Sequence, residues 1–445
     1  VLQPDGQAPL MGEIRQHPVA LPLPVADRLD LLRELVLADE PHAPGPRYLD
    51  AVAGLLADTG AAGAVQALVS RWFDDERAIP GMPRATVATA AQALLHTHRH
   101  PALDALTEVL ADRAHRRADD LLAALAEDEP SAVCRAVHRW AHDDRPARRA
   151  AAVAHGLRAA LHAGTDTDRD LLRQAARTLL DSPADTGLHG GALALLVHDP
   201  DTRARHLPQA LRHFASGDPR LPPSALVPAL ATHPDQVLDA FGDRLRAGPD
   251  PREVLRTLAD LTPPGLARRA AALVREAAAL RPETAAHLAE HVDRRLDYGP
   301  AARTVLLPLV TALLDDGPEP VRAALATVLA APGTPASRPL RRELLDFLLA
   351  RERDPGVLDA LLHAAAQSGA TGVRDLVHRT GLLLIRTPDG ATRFDRGLVD
   401  LGRRVPGFAA LMARWLTDTP EEWAAVVGPS TRRMLGNLAG VRVPA

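Results

Sequence analysis

The stretch Asp315-Asp-Gly-Pro-Glu-Pro-Val-Arg-Ala-Ala-Leu-Ala-Thr-Val-Leu-Ala-Ala331 decides how the rest of the chain is read. Val321, Leu325, Val328 and Leu329 stand at i, i+4, i+7 and i+8 and line one face of a helix. Asp316 and Gly317 are placed to cap it, and Pro318 and Pro320 suit a first turn, where a missing N–H leaves nothing unsatisfied. A helix apolar on a single stripe is not stable alone in water and must lie against neighbours of its own kind. Weaker copies of the pattern recur through most of the chain. The expectation is a repeat array, in which added units do not add separate domains.

The periodic runs predict helices over 25–39, 48–58, 64–74, 86–97, 102–113, 119–127, 131–142, 146–162, 168–180 and 190–197. They continue over 202–215, 224–232, 234–246, 253–261, 266–280, 283–296, 301–314, 315–331, 341–350 and 357–366. No run alternates with period two in this span, and the short connections make consecutive helices antiparallel. Asp and Pro join at several helix starts: Asp143-Asp-Arg-Pro146, Asp199-Pro-Asp-Thr-Arg203, Asp315 to Arg322, and Asp354-Pro-Gly-Val357. Asp316, Pro320, Val321, Arg322, Ala324 and Leu325 resemble the HEAT-repeat family, whose second helices begin with an Asp, a Pro and a Val-Arg pair. Asp144, Arg148, Arg149, Ala151 and Val153 resemble it in part. The resemblance covers 25–380 and implies an all-α, right-handed α-solenoid of antiparallel helix pairs of the HEAT/armadillo kind. In general style the chain is also similar to the helical C-terminal portions of large actinomycete proteins.

Residues 1–24 lack periodicity and read as an N-terminal tail or linker. Residues 381–445 change character. Pro388-Asp-Gly390 is a turn signal, Leu382–Ile385 is ambiguous between a helix end and a strand, and Thr419-Pro-Glu-Glu422 predicts a capping box opening a helix over 420–427. Phe394, Phe408, Trp415 and Trp423 gather here, as expected of capping helices that cover the last apolar face of a solenoid.

Composition narrows the function classes. The apolar share of 46% is that of a globular protein, while aromatics at 3% leave few platforms for stacking bases or sugars. There is no lysine, one asparagine (Asn437) and three isoleucines, which points to a GC-rich, actinomycete-like gene rather than to functional design. Without lysine, neither a standard phosphate-binding P-loop nor a Schiff base can form. A net charge of −4 gives no global attraction to nucleic acid or anionic lipid. One cysteine, Cys134, excludes an internal disulfide framework. No apolar run reaches a membrane span, and no signal-peptide pattern is seen, so a cytoplasmic protein is expected. The first residue is Val1 rather than Met, which suggests a portion of a longer protein.

Several clusters invite chemistry. His287-Leu-Ala-Glu-His291 matches the inverted zinc-protease motif, with His287 and His291 one turn apart as ligands, Glu290 as base, and Glu319, Glu343 or Glu352 available as a further ligand. The competing reading is a surface helix with ordinary charged residues. Cys134, His138 and His142 are spaced i, i+4, i+8, but the outer two lie about 12 Å apart along a helix and cannot share one ion. His96, His98 and His100 fall at a helix end, where imidazoles meet free carbonyls. His189-Gly-Gly191 is similar to an oxyanion strand of lipases but lacks a Gly-x-Ser-x-Gly partner. Arginine pairs recur. If Arg148, Arg149, Arg268, Arg269 and Arg341 shared a groove they would bind phosphates, as in the HEAT-like DNA glycosylases. The expectation is a non-catalytic scaffold with no catalytic, cofactor-binding or metal residues. It would bind a protein partner, or another domain of its parent chain, on a concave surface. Nucleic-acid binding is the alternative, and a zinc hydrolase is a third.

Overall fold

A computed structural model describes residues 23–39, 47–80, 82, 84–248, 250–368 and 372–440. The predicted tail over 1–24 lies almost wholly outside them. Two compact units divide the chain, residues up to 221 and residues from 222 onward. Among the described residues all regular structure is helical apart from one isolated bridge, Ala78 to Thr86.

In the first unit the helices are α1 (Val25–Val36), α2 (Tyr48–Ala57), α3 (Ala62–Val69), α4 (Val87–Thr97), α5 (Leu103–Asp112), α6 (Arg116–Asp128), α7 (Pro130–Ala141), α8 (Pro146–Ala160), α9 (Asp166–Asp181), α10 (His189–His198) and α11 (Pro200–Ala215). Most helices touch the next and also the next but one. The second kind of contact builds two rows, α3–α5–α7–α9 and α2–α4–α6–α8–α10. The apolar seam between the rows is the core, a continuous cluster from Leu29 to Leu196.

The second unit repeats the plan. Its helices are α12 (Pro223–Leu226), α13 (Pro234–Ala247), α14 (Arg252–Ala259), α15 (Pro264–Leu280), α16 (Ala285–Leu296), α17 (Arg303–Asp316), α18 (Glu319–Ala330), α19 (Arg338–Arg351), α20 (Pro355–Ser368), α21 (Val373–Leu384), α22 (Pro388–Arg404), α23 (Phe408–Asp418), α24 (Pro420–Ala424) and α25 (Pro429–Ala439). One row is α12–α14–α16–α18–α20–α22 and the other α13–α15–α17–α19. Helices α14, α16, α18, α20 and α22 begin at residues 252, 285, 319, 355 and 388, steps of 33, 34, 36 and 33. This period is shorter than the ~40–47 residues of ordinary HEAT or armadillo repeats. None of the described helices is long and apolar enough to cross a membrane.

The phase expected for the deciding stretch holds, since Val321, Leu325 and Leu329 are buried in α18. Its start differs. Asp316 belongs to α17, whose last turn is closed by Gly317, and a Cβ there would lie 2.2 Å from the Leu313 carbonyl oxygen. Pro318 is then the first cap residue, with no side-chain bond. Elsewhere the Asp starts work as read: Asp199 accepts from the Asp201 amide, and Asp354 from the amides of Gly356 and Val357.

Two C-terminal expectations are corrected. Pro388-Asp-Gly390 is the first turn of α22, because Thr387 accepts from the Gly390 amide and caps a helix there. The capping box at Thr419 does not form. The Thr419 hydroxyl donates back to Trp415 O and Glu422 pairs with Arg374 of α21; α24 starts at Pro420 as expected but runs only to Ala424 rather than to 427. The ambiguous run from Leu382 is resolved as the end of helix α21.

Candidate functional site

Arginine is the recurring polar device of both units. Early in several helices it folds back on carbonyls of the preceding loop or helix end: Arg149 on Asp143 and Asp144, Arg203 on Val197 and His198, Arg322 on Gly317. These carbonyls have no partner within a helix, so the guanidinium satisfies what the helix end leaves open. The same side chains reach sideways to the neighbouring repeat. Arg149 meets Asp185 at 2.7 Å and Arg322 meets Glu352 at 2.9 Å. Arg295, nearly buried, donates to the carbonyls of Ala259 and Leu261.

A ladder of ion pairs follows, with partners about one repeat apart in sequence. Arg139 pairs with Glu108, Arg269 with Asp235, Arg294 with Asp260, Arg351 with Asp315 and Arg379 with Asp346. Their separations of 31, 34, 34, 36 and 33 residues follow the repeat period, because a helix packs beside the next but one. That regularity was present in the sequence as Arg and Asp or Glu set some 35 residues apart. Exposed pairs of this kind contribute little each. The buried members matter more: Arg148 of α8, 3% exposed, holds Glu108 and Asp112 of α5, and Arg341 of α19, 4% exposed, holds Asp293 of α16.

These pairings correct the phosphate-groove expectation. Arg148, Arg149, Arg269 and Arg341 each face a carboxylate of the fold, and two of them lie under the surface. Only Arg268 of the five stands exposed and without a carboxylate partner among the described residues.

The zinc arrangement is not assembled either. His291 turns into the core at 4% exposure and its Nδ1–H donates to Leu255 O at 2.8 Å. Burial holds its pKa down to about 4, with Arg295 adding to the effect. His287 stays near the surface, and Glu290 is engaged by Arg252 at 3.2 Å. Of the further ligands, Glu343 pairs with Arg303, and Glu352 with Arg322 while accepting from the amides of Arg353 and Asp354. Among the described residues no three His, Cys, Asp or Glu side chains are gathered as a metal site.

The remaining clusters are absorbed by packing. Cys134 is fully buried and its thiol is pushed up to about 12 by desolvation, with Asp168 adding to it. His138 and His142 lie ring to ring at 4.6 Å, and His142 bonds to the His138 carbonyl. His98 meets Leu94 O at the end of α4, while His96 pairs with Asp128. Gly191 lets α10 approach α8, since a Cβ there would lie 2.0 Å from Val153 Cγ1.

One feature of the second unit is left over. Along its second row α15 packs on α17 and α17 on α19, but α19 and α21 are not packed along their length: α19 leans on α18 and α21 on α20. The gap is an open groove of 530 Å³. Leu329 and the half-buried Leu345, Val373 and Leu376 form its apolar floor, and Arg338 and Arg342 stand on its rim.

No protein-family model and no curated protein matches this sequence. The chain has a structural likeness to yeast importin-beta (Kap95p), a HEAT-repeat solenoid, at 12% identity and a TM-score of 0.34, over 94% of this chain and 67% of that one. The fold assignment stands on the chain's own helix stacking. Each unit is an all-α, HEAT-like array.

Proposed function

We propose that the protein is a non-catalytic helical-repeat scaffold that binds a protein partner, or another domain of its parent chain, in the cytoplasm. The observation that carries this reading is the open groove between α19 and α21, with an apolar floor and unmatched cations on its rim. Such a surface suits a polypeptide segment, whereas the histidines and the buried arginines that invited chemistry are occupied in holding repeats together. Repeat arrays expose extended faces whose helices are rigidly spaced, which suits binding without turnover. In this reading residues 381–445 cap the array, and the common burial of Phe394, Phe408, Trp415 and Trp423 supports that role.

The test is capture from a GC-rich actinomycete at near-native expression, with cross-linking before lysis. A partner should be recovered in stoichiometric amount and cross-linked to the second unit. Recovery of background proteins alone would count against the scaffold reading.

A further inference from the structure

We propose that the groove between α19 and α21 is a docking site for an acidic peptide segment that carries large apolar side chains. The inference rests on the scaffold reading and deepens it, naming the site and the chemistry of its occupant.

Arg338, Arg341 and Arg342 occupy the first turns of α19, and they divide sharply. Arg341 points inward and is satisfied by Asp293, the Val328 carbonyl and Ser337. Arg338 and Arg342, one turn apart, are exposed on the groove's rim. Arg338 reaches only the Pro332 carbonyl, at 3.4 Å, and Arg342 meets no carboxylate among the described residues. Across the groove Arg379 bridges Asp346 at 2.9 Å and Asp375 at 3.6 Å. Three rim arginines therefore face two aspartates in a chain whose net charge is −4. The two arginines without partners are the ones free to form charge-assisted, bidentate bonds with an incoming carboxylate.

Shape narrows the occupant. The floor of Leu345, Val373 and Leu376 is half-buried, so an apolar side chain laid there removes surface from water on both partners. Small-molecule sites enclose most of their ligand and converge polar groups upon it. This groove is an open trough with the guanidinium groups of Arg338 and Arg342 along one edge, which fits a segment running across it. Nucleic acid fits poorly, since the lining carries no aromatic ring for a base to stack on.

The test uses the full chain and fluorescence anisotropy of short labelled peptides, each joining Asp or Glu to Leu, Ile or Phe. Two control sets replace the acids by Lys or the apolar residues by Ser, and a labelled oligothymidylate is the nucleic-acid probe. The acidic apolar peptides should bind wild type, more weakly as salt rises. The double variant Arg338→Glu/Arg342→Glu should bind them about tenfold less well or worse, and should gain affinity for the Lys peptides. Both positions are exposed, so an unchanged melting temperature serves as the folding control.

The proposal is overturned by equal binding to wild type and double variant, by Ser peptides binding as well as apolar ones, or by no binding of any acidic apolar peptide. It is also overturned if oligothymidylate binds in their place. Self-association of the chain that the double variant abolishes would reassign the groove to a second copy. The two readings fail separately. A captured partner held equally by wild type and double variant removes the groove assignment and leaves the scaffold standing. Failure to capture any partner removes the scaffold whatever the peptides do.

Discussion

His291 makes the second unit sensitive to mild acid, by an amount the structure sets. Its ring is buried in α16 with Nδ1–H bonded to the Leu255 carbonyl. The charged groups nearest it are Arg295, which opposes a second positive charge, and Asp260, which favours it but is already held by Arg294. Desolvation dominates, and the folded-state pKa lies at about 4 against 6.5 for a free imidazole. Well above pH 6.5 the residue is neutral in both states and contributes no pH dependence. As pH falls through 6.5 the unfolded chain takes up a proton that the folded chain refuses, so stability declines by about 1.4 kcal/mol per pH unit until pH nears 4. Between pH 7 and 5 the loss from His291 alone should be about 2 kcal/mol.

The perturbation is His291→Asn, whose amide NH₂ can still donate to Leu255 O but does not titrate. With Trp72 and Trp140 replaced by Phe in both proteins, emission comes from Trp415 and Trp423, which lie in the second unit. Urea unfolding followed at pH 7 and pH 5 should show the protein that retains His291 losing about 2 kcal/mol more than the His291→Asn variant over that interval. The absolute stability of the variant is immaterial, since only the pH difference is read. Equal losses in the two proteins would refute the buried, neutral state of His291.

Other perturbations probe the rest of the array. Burial also lowers the pKa of His155 in α8, to about 4; its ring lies edge-on to Trp140 at 6.1 Å, so Trp140 emission should titrate near pH 4 and lose that step in His155→Gln. Leu325→Ala, at a fully buried position of α18, should cost about 2–5 kcal/mol in urea titrations. Gly191→Ala should destabilise the first unit by about 1–3 kcal/mol, because the new methyl meets Val153 between α10 and α8. Cys134 should resist alkylation by iodoacetamide in the folded protein at pH 8 and react only in denaturant, since its thiol is buried and held protonated. Oligonucleotides should show no mobility shift even at low salt, where four of the five arginines proposed to read phosphates are already matched within the fold.

By itself the sequence determined the helices and the class of fold. The spacing of Val321, Leu325 and Leu329, and of its weaker copies, is a local property of each segment, and a stripe apolar on one side can be satisfied only by stacking. The starts at Asp199 and Asp354 were legible for the same reason, since a cap acts within a few residues. Thr419 shows where locality ends. Its sequence fits a capping box, but Glu422 finds Arg374 some fifty residues away, and the box is lost. The destinations of the chemistry-bearing side chains were decided by tertiary structure alone. His287 and His291 share a helix face in outline, yet a turn of helix separates surface from core, and His291 falls on the core side. Adjacent arginines divide in the same manner, Arg341 inward to Asp293 and Arg342 outward to the groove. Which member of such a pair is bound depends on a helix about one repeat away or further. The groove itself is a spacing between α19 and α21 that no single segment encodes, because it comes from how α19 leans on α18 and α21 on α20.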